Sequence, residues 1–266
     1  MKNRFLKALL ERSVTLGGWI QIGHPAPAEI FARLGFDWIC VDLEHGVIDI
    51  ETMANIFRAV DAGGSVPVAR LPYTEPTWIR RALDAGARGL IIPSVNTAEQ
   101  ARAVVRQVKY PPLGERGFGY SRANLYGIDF EDYIREANDE IGVVVQIEHR
   151  DAITAIDSIL GVEGVAGAFI GPMDLSGSFG KAGQLDAPEM VEALATFRRA
   201  CREHNKAAGT HIVRPDRGNI KAAVRDGYSM IALGIDNVFL AAGAQHALEI
   251  ARAAATHIAG GEIRVS

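Results

Sequence analysis

GVVVQIEHRDAITAIDSILGVEGVAGAFIGPMDLSGSFGK, from Gly142 to Lys181, reads as strand, helix, strand and helix start. Val143 to Ile147 is β-branched and apolar, and at a period of two Val144, Gln146 and Glu148 share one face. Glu148 therefore closes a buried strand with its carboxylate on the inside. The second strand, Val165 to Ile170, runs into Gly171-Pro172-Met173-Asp174, where Asp174 precedes the helical Leu175-Ser176. Asp174 thus stands like Glu148, one strand over. Burying two carboxylates at neighbouring strand ends is costly unless a cation or hydrogen-bond donors compensate. A divalent metal would do so, with all-oxygen ligation that favours Mg²⁺, Mn²⁺ or Co²⁺ over structural zinc. Alternatively Asp174 caps the helix after it and Glu148 pairs with an arginine.

Outward from this stretch the chain repeats one unit: helix, glycine, short gap, apolar strand. Gly35 precedes Trp38-Ile39-Cys40-Val41, Gly86 precedes Leu90-Ile91-Ile92, Gly164 precedes Ala168-Phe169-Ile170, and Gly227 precedes Met230-Ile231-Ala232-Leu233. Each glycine falls where a helix C′ residue turns left-handed. Gly18 to Ile22, Val66 to Ala69, Val143 to Ile147 and Ala207 to His211 bring the candidate strands to eight. Between them, residues 49–62 place Ile50, Met53, Phe57 and Val60 on one stripe behind Asp49 as N-cap, and 187–204 place Met190, Leu194, Phe197 and Cys201 likewise. Strands so continuously apolar are buried on both sides and hence parallel. The spacing predicts an α/β fold, a single (β/α)₈ TIM-barrel domain over 1–266, a class that commonly takes about 250 residues. An open doubly wound sheet is the alternative, but no GxGxxG follows the first strand.

Lysine and arginine total 28 against 32 acidic residues, a net charge of −4. No dense basic run suggests nucleic acid or an anionic membrane as partner. Cys40 in a strand and Cys201 in a helix offer no disulfide framework and are expected reduced and buried, which fits cytoplasm. The opening MKNRFLKALLERS breaks its short apolar run with charge and is not expected to act as a signal peptide. No segment approaches the ~20 apolar residues that span a bilayer.

In such a barrel, chemistry collects where strands end and helices begin. Those positions hold Trp19 to His24, Asp42 to His45, Arg70, Pro93-Ser94, Gln146 to His149, Gly171 to Asp174, His211 and Gly234 to Asp236. So many polar groups exceed what folding requires, which favours the metal reading over helix capping.

DWICVDLEHG (37–46), VARLPYTEP (68–76), RALDAGARGLIIP (81–93), PPLGERGFG (111–119), VVVQIE (143–148) and GPMDLSGSFG (171–180) together resemble the HpcH/HpaI aldolase family of 4-hydroxy-2-oxo-acid aldolases, over almost the whole chain. The resemblance implies a metal-dependent, class II pyruvate aldolase on a barrel, usually a hexamer built as a trimer of dimers. It implies Glu148 and Asp174 as metal ligands, Arg70 at the keto oxygen, His45 as base, Gln146 as a substrate-binding glutamine, and Asp84 as the aspartate that supports the histidine. His149 and Met173 depart from common usage, and both touch the donor pocket.

The chemistry agrees with these parts. Cleaving a 4-hydroxy-2-oxo acid leaves a pyruvate enolate, so charge develops on the C2 oxygen and something cationic must meet it. A chelated metal and Arg70 answer that need, and the backbone N–H groups of Met173 and Asp174 suit the substrate carboxylate. His45 suits removal of the 4-hydroxyl proton. Schiff-base chemistry is not expected, since none of Lys2, Lys7, Lys109, Lys181, Lys206 and Lys221 ends a core strand. A lyase for CoA thioesters, as in citrate-lyase β-like relatives, would want a nucleotide-binding surface, and no signature for one appears. A catalytically silent barrel would have lost a ligand, and neither is lost.

Asp84 ends the helix before strand four, at the opposite end of its own barrel. If it supports a base, it reaches a neighbouring subunit's site; otherwise it pairs with Arg81 or Arg88. VFLAAGAQHALEIARAAA, residues 238–255, is small and apolar on nearly all sides, and a helix of that kind is expected to make a subunit contact. Residues 109–128, KYPPLGERGFGYSRANLYGI, form the longest irregular stretch and read as a lid whose Arg116 and Arg122 meet the acceptor aldehyde. Trp19 and His24 are expected on the acceptor side of the substrate pocket.

Overall fold

Eight parallel strands close into a barrel in chain order: β1 (Thr15–Ile20), β2 (Trp38–Asp42), β3 (Val66–Arg70), β4 (Gly89–Ile92), β5 (Gly142–Ile147), β6 (Val165–Ile170), β7 (Ala207–Ile212) and β8 (Met230–Leu233), with β8 paired to β1. This computed structural model describes residues 3–259. Residues 1, 2 and 260–266 of the expected domain span lie outside the described residues, as do the side chains from Ala255 onward. Helices alternate with the strands, which makes the (β/α)₈ TIM barrel the observed class. No helix among the described residues is long and apolar enough to cross a membrane.

The local causes are those the sequence carries. Gly35, Gly86 and Gly227, at φ of +92°, +106° and +92°, each follow a helix C-cap in the left-handed region that strains other residues, whereas Gly164, expected to do the same, takes φ +93° three residues beyond Gly161, the C-cap of the helix Ile156–Leu160. Asp49 caps the helix Ile50–Gly63, its side chain accepting from Thr52 N–H at 2.7 Å. The first strand starts at Thr15, earlier than the expected Gly18, because its glycines are needed for close approach. A Cβ on Gly17 would lie 2.3 Å from the Trp38 ring, and one on Gly18 2.4 Å from Phe31.

Two cores result. The outer one lies between strands and helices. The inner one fills the barrel with Trp19, Trp38, Cys40, Val68, Ile91, Val144, Phe169 and Met230. The N-terminal helix Arg4–Glu11 closes the end where strands begin: its Phe5 and Leu9 join the inner core, and Phe5 packs 5.8 Å from Trp38. Asn3 seats that helix, accepting from Phe5 N–H at 3.0 Å and donating to the Arg88 carbonyl at 2.8 Å. In barrels of this class chemistry collects at the other end, where strands finish.

The terminal helix, Asp236–Ala259, is anchored by Asp236, whose carboxylate accepts the backbone N–H groups of Gln21 and Ile22, both at 3.0 Å. From Phe239 to Ala254 every residue is exposed, with Leu240 at 66% and Ile250 at 57%.

Gly17→Ala is expected to lower stability by about 1–3 kcal/mol through overpacking against Trp38, read as a lower denaturation midpoint; an unchanged midpoint would show that the indole yields freely.

Candidate active site

Asp42 ends β2 fully buried and gathers the barrel mouth around itself. Arg70, its register partner on β3, donates from Nε to Asp42 Oδ1 (2.9 Å) and from Nη2 to Oδ2 (2.7 Å), a bidentate fork. Trp19 Nε1 (3.2 Å) and Gln21 Nε2 (2.7 Å) donate to the same Oδ2. Oδ1 also accepts the backbone N–H groups of Glu44 (3.1 Å) and His45 (3.2 Å). One carboxylate thus fixes both the guanidinium and the turn that presents His45. Burial by itself would raise the Asp42 pKa, but the hydrogen bonds and charge of Arg70, with Gln21 and Trp19, outweigh it and hold the carboxyl below its ordinary value. Arg70 Nη1 also stands 3.0 Å from Glu44 Oε2, an ion pair without hydrogen-bond geometry. Burial pushes the Glu44 pKa up, Arg70 draws it back, and the negative charge of Glu148 pushes it up again.

Glu148, directly after β5, is buried. Its Oε1 accepts the backbone N–H (2.6 Å) and the hydroxyl (3.1 Å) of Ser94, and its Oε2 accepts from Gln146 Nε2. Ser94 holds a left-handed φ of +55° to aim that amide. Gly171 keeps the flank of this carboxylate open: a Cβ there would lie 2.8 Å from Glu148 Cβ and 3.1 Å from Oε2. Asp174 is exposed and lies inside the helix Pro172–Ser178 rather than before it, because Gly171 takes the N-cap position. No side chain caps this helix, so the amides of its first turn, Met173 and Asp174 among them, stay uncapped.

These residues fit a divalent cation. Among the described residues neither Glu148 nor Asp174 belongs to an ion pair, and the buried Gln146 Oε1 beside them has no partner. Glu148 and Asp174 are two hard oxygen donors at one mouth. Among the described residues no group of three or more His, Cys, Asp or Glu could hold a metal, so most of a cation's shell would fall to water and substrate.

Other expected residues lie elsewhere. Trp19, expected on the acceptor side, is 1% exposed: its ring sits 5.7 Å from Phe169 and 4.6 Å from His211, with Arg70 Cζ 5.0 Å above it. It acts on the mouth through Arg70 and Asp42. His24 caps the helix Pro25–Arg33 through Nδ1, and His149 caps Arg150–Thr154 in the same way.

The stretch 109–128 joins the helix Ala98–Val108 to the helix Phe130–Glu140 ahead of β5, and its bonds to Asp84 and Ala85 hold it at the end where strands begin, away from its own mouth. Arg116, expected to meet an aldehyde, is 2% exposed, bonded to Asp84 Oδ1 and to the Tyr133 hydroxyl, both at 3.1 Å, and stacked 4.6 Å over Tyr110. Asp84 thus pairs with Arg116 rather than with Arg81 or Arg88. Arg122 reaches the Ala85 carbonyl (3.0 Å) and Asp61 Oδ2 (2.5 Å), at the edge of a cavity of about 520 Å³. Buried Asn124 stitches the loop, accepting from Ser121 and Gly127 N–H (both 3.0 Å) and donating to the Gly119 carbonyl (2.7 Å). The loop is a built element.

Sequence reasoning gave no role to Asp42, Ser94 or His211, although all three stood among the strand-end positions. Their partners lie on other strands, so only their position could have marked them.

Residues 15–242 match the sequence profile of the family described as HpcH/HpaI aldolase/citrate lyase. The chain is similar to a hydroxypyruvate/pyruvate aldolase of Roseovarius nubinhibens, 41% identical over 92% of this chain and 95% of that protein. It is similar as well to a 4-hydroxy-2-oxo-heptane-1,7-dioate aldolase of Salmonella dublin, 37% identical over 92% and 93%. Among solved structures, an HpcH/HpaI aldolase/citrate lyase family protein of Burkholderia cenocepacia superimposes with a TM-score of 0.90 at 32% identity, over 94% of this chain and all of that one.

Asp42→Asn is expected to destabilise the protein by about 3 kcal/mol, since it leaves a buried guanidinium without its countercharge. Because folding depresses the Asp42 pKa, its stabilisation is complete above the unfolded value of about 3.9 and fades as pH falls through the lower folded value. Denaturation midpoints measured across that acid range should fall less steeply for Asp42→Asn than for the wild type.

Proposed function

The chain belongs to the HpcH/HpaI aldolase/citrate lyase family, and on that premise we propose that it is a divalent-metal-dependent aldolase. It cleaves 4-hydroxy-2-oxo acids reversibly to pyruvate, or a related 2-oxo acid such as hydroxypyruvate, and an aldehyde. The observation that carries this reading is the gathering of Asp42, Glu44, Glu148 and Asp174 at one mouth beside the guanidinium of Arg70, with Glu148 and Asp174 outside any ion pair among the described residues.

Glu148 and Asp174 would hold the cation, with Mg²⁺, Mn²⁺ and Co²⁺ suited to such oxygen donors. A divalent cation there supplies Lewis-acid polarisation of a 2-oxo acid that chelates it. Gln146, held against Glu148, and the uncapped amides of Met173 and Asp174 orient the substrate carboxylate. Arg70, fixed in advance by Asp42, offers positive charge at the keto oxygen, where negative charge grows as the carbon–carbon bond breaks. His45, on the turn that Asp42 braces, takes the proton of the 4-hydroxyl. A Schiff base finds no support: Lys206, half buried, donates to the Val165 carbonyl at the start of β6, away from the mouth.

The working unit is a homo-oligomer, a hexamer on the family pattern, in the cytoplasm. Two observations support assembly. The terminal helix exposes Leu240, Leu248 and Ile250, more apolar surface than a helix without neighbours usually carries. Asp84 and Arg122 stand at the end opposite their own mouth, so any part they take in catalysis would need the site of another copy.

Stripping metal with a chelator should abolish pyruvate release from a panel of 4-hydroxy-2-oxo acids, and Mg²⁺, Mn²⁺ or Co²⁺ should restore it. Glu148→Gln and Asp174→Asn should each lose activity at least on the order of 10²-fold, while borohydride with pyruvate leaves the wild type active. Full activity in the presence of chelator would overturn the metal reading. Mixing His45→Ala with Asp84→Asn protein under conditions that exchange subunits should restore activity that neither has alone, and a mixture as inactive as its parts would refute sharing of the site.

A further inference from the structure

His211 is a polar ring at the mouth to which the reading above gives no task. It lies on β7, and the strand registers fix its height. Gln146 pairs with Phe169 and Phe169 with Gly209, so two residues further along, Glu148, Gly171 and His211 stand level at the rim. At a strand spacing of about 4.8 Å, His211 and Glu148 are some 10 Å apart across β6, room for a three-carbon acid between them. On its other side the His211 ring lies against Trp19, which in turn lies beneath Arg70.

The ring's hydrogen bonds assign its tautomer. Nε2 lies 2.9 Å from the Gly234 carbonyl, an acceptor only, so Nε2 carries the hydrogen. Nδ1 makes no hydrogen bond and is not sealed from solvent. Burial, aided by the charge of Arg70, holds the ring below its ordinary pKa against the opposing pull of the Gly234 bond, so Nδ1 presents a lone pair.

We propose that His211 is a specificity-determining residue whose Nδ1 accepts a hydrogen bond from a substrate hydroxyl next to the bond being made or broken, so that the site favours hydroxylated partners. This rests on the aldolase reading. A keto acid bound through a cation on Glu148 and Asp174, with Arg70 at its keto oxygen, would have the β7 wall beside it, since Gly171 puts no side chain between Glu148 and His211. The hydroxyl is either the one on C3 of a donor such as hydroxypyruvate or the one on C2 of an acceptor such as glycolaldehyde. In either case a lone-pair acceptor rewards its presence, and an apolar side chain there would not.

The test measures aldol synthesis with each donor, pyruvate or hydroxypyruvate, against each acceptor, propanal or glycolaldehyde, in the metal-loaded enzyme. His211→Phe keeps a ring against Trp19 but has no acceptor, His211→Leu is a second such variant, and His211→Asn puts an oxygen near the place of Nδ1. In the Phe or Leu variant the ratio of kcat/KM for hydroxylated over plain partner should fall on the order of tenfold, the worth of one lost hydrogen bond. The Asn variant should recover much of it. A fall confined to the donor ratio assigns the hydroxyl to C3 of the donor, and one confined to the acceptor ratio assigns it to the aldehyde. Unchanged ratios in both Phe and Leu variants, or an Asn variant no better than they are, would overturn the proposal. Wild-type protein inert on all four pairs with Mg²⁺, Mn²⁺ and Co²⁺ would instead overturn the aldolase reading, and this inference with it.

Discussion

The fork between Asp42 and Arg70 is the fixed point of the mouth. A carboxylate without solvent exposure is costly, and a guanidinium nearly as deep is costly too; each is tolerable because the other is there, at 2.7 and 2.9 Å. The same arrangement is what a reaction building negative charge needs. A flexible cation would have to be oriented at the moment of reaction, whereas one already held on two hydrogen bonds requires no reorganisation. Because Asp42 also accepts the amides that lead into His45, the guanidinium and the turn that carries this histidine are set by one side chain. Trp19, though hidden from solvent, carries part of this load through its indole N–H and through its face under Arg70.

The barrel's two ends have been given opposite uses. Phe5 and Leu9 of the first helix plug the end where strands begin, and Asn3 locks that plug to Arg88. What the plug leaves open is an end where amides, carboxylates and one fixed guanidinium face a space that water can fill. At the plugged end, Arg116 is sealed between Tyr110, Tyr133 and Asp84, and the loop that carries it is stiffened by Asn124. Such order at a loop far from its own mouth makes sense if the loop has a surface of another copy to meet.

The architecture was legible in the sequence because burial on both faces leaves strands almost continuously apolar, and because each glycine that ends a helix left-handed can scarcely be anything else. The start of β1 was hidden for the converse reason: Gly17 and Gly18 contribute space, and a reading that looks for side chains passes over them. Glu148, Asp174, Arg70 and His45 could be placed at the mouth because a strand end is a position along the chain. The bracing role of Asp42 could not, since its partners come from β1, β3 and the turn after β2. Length says that a loop is built for something but not which end of the barrel it occupies, and this one lies opposite its own mouth. Its place in the connection that runs from the helix after β4 to the start of β5 carried that information.

The grip on Glu148 comes partly from a peptide N–H, that of Ser94, in a left-handed bend. A donor belonging to the main chain has an unusual kind of permanence: exchanging the side chain at residue 94 can remove the hydroxyl but not the amide. The orientation of this acid is therefore largely independent of which amino acid occupies the bend and depends on the bend keeping its shape. Drift at residue 94 should be tolerated among small or turn-forming residues and barred to proline, which lacks the hydrogen, and to β-branched residues, which resist the bend.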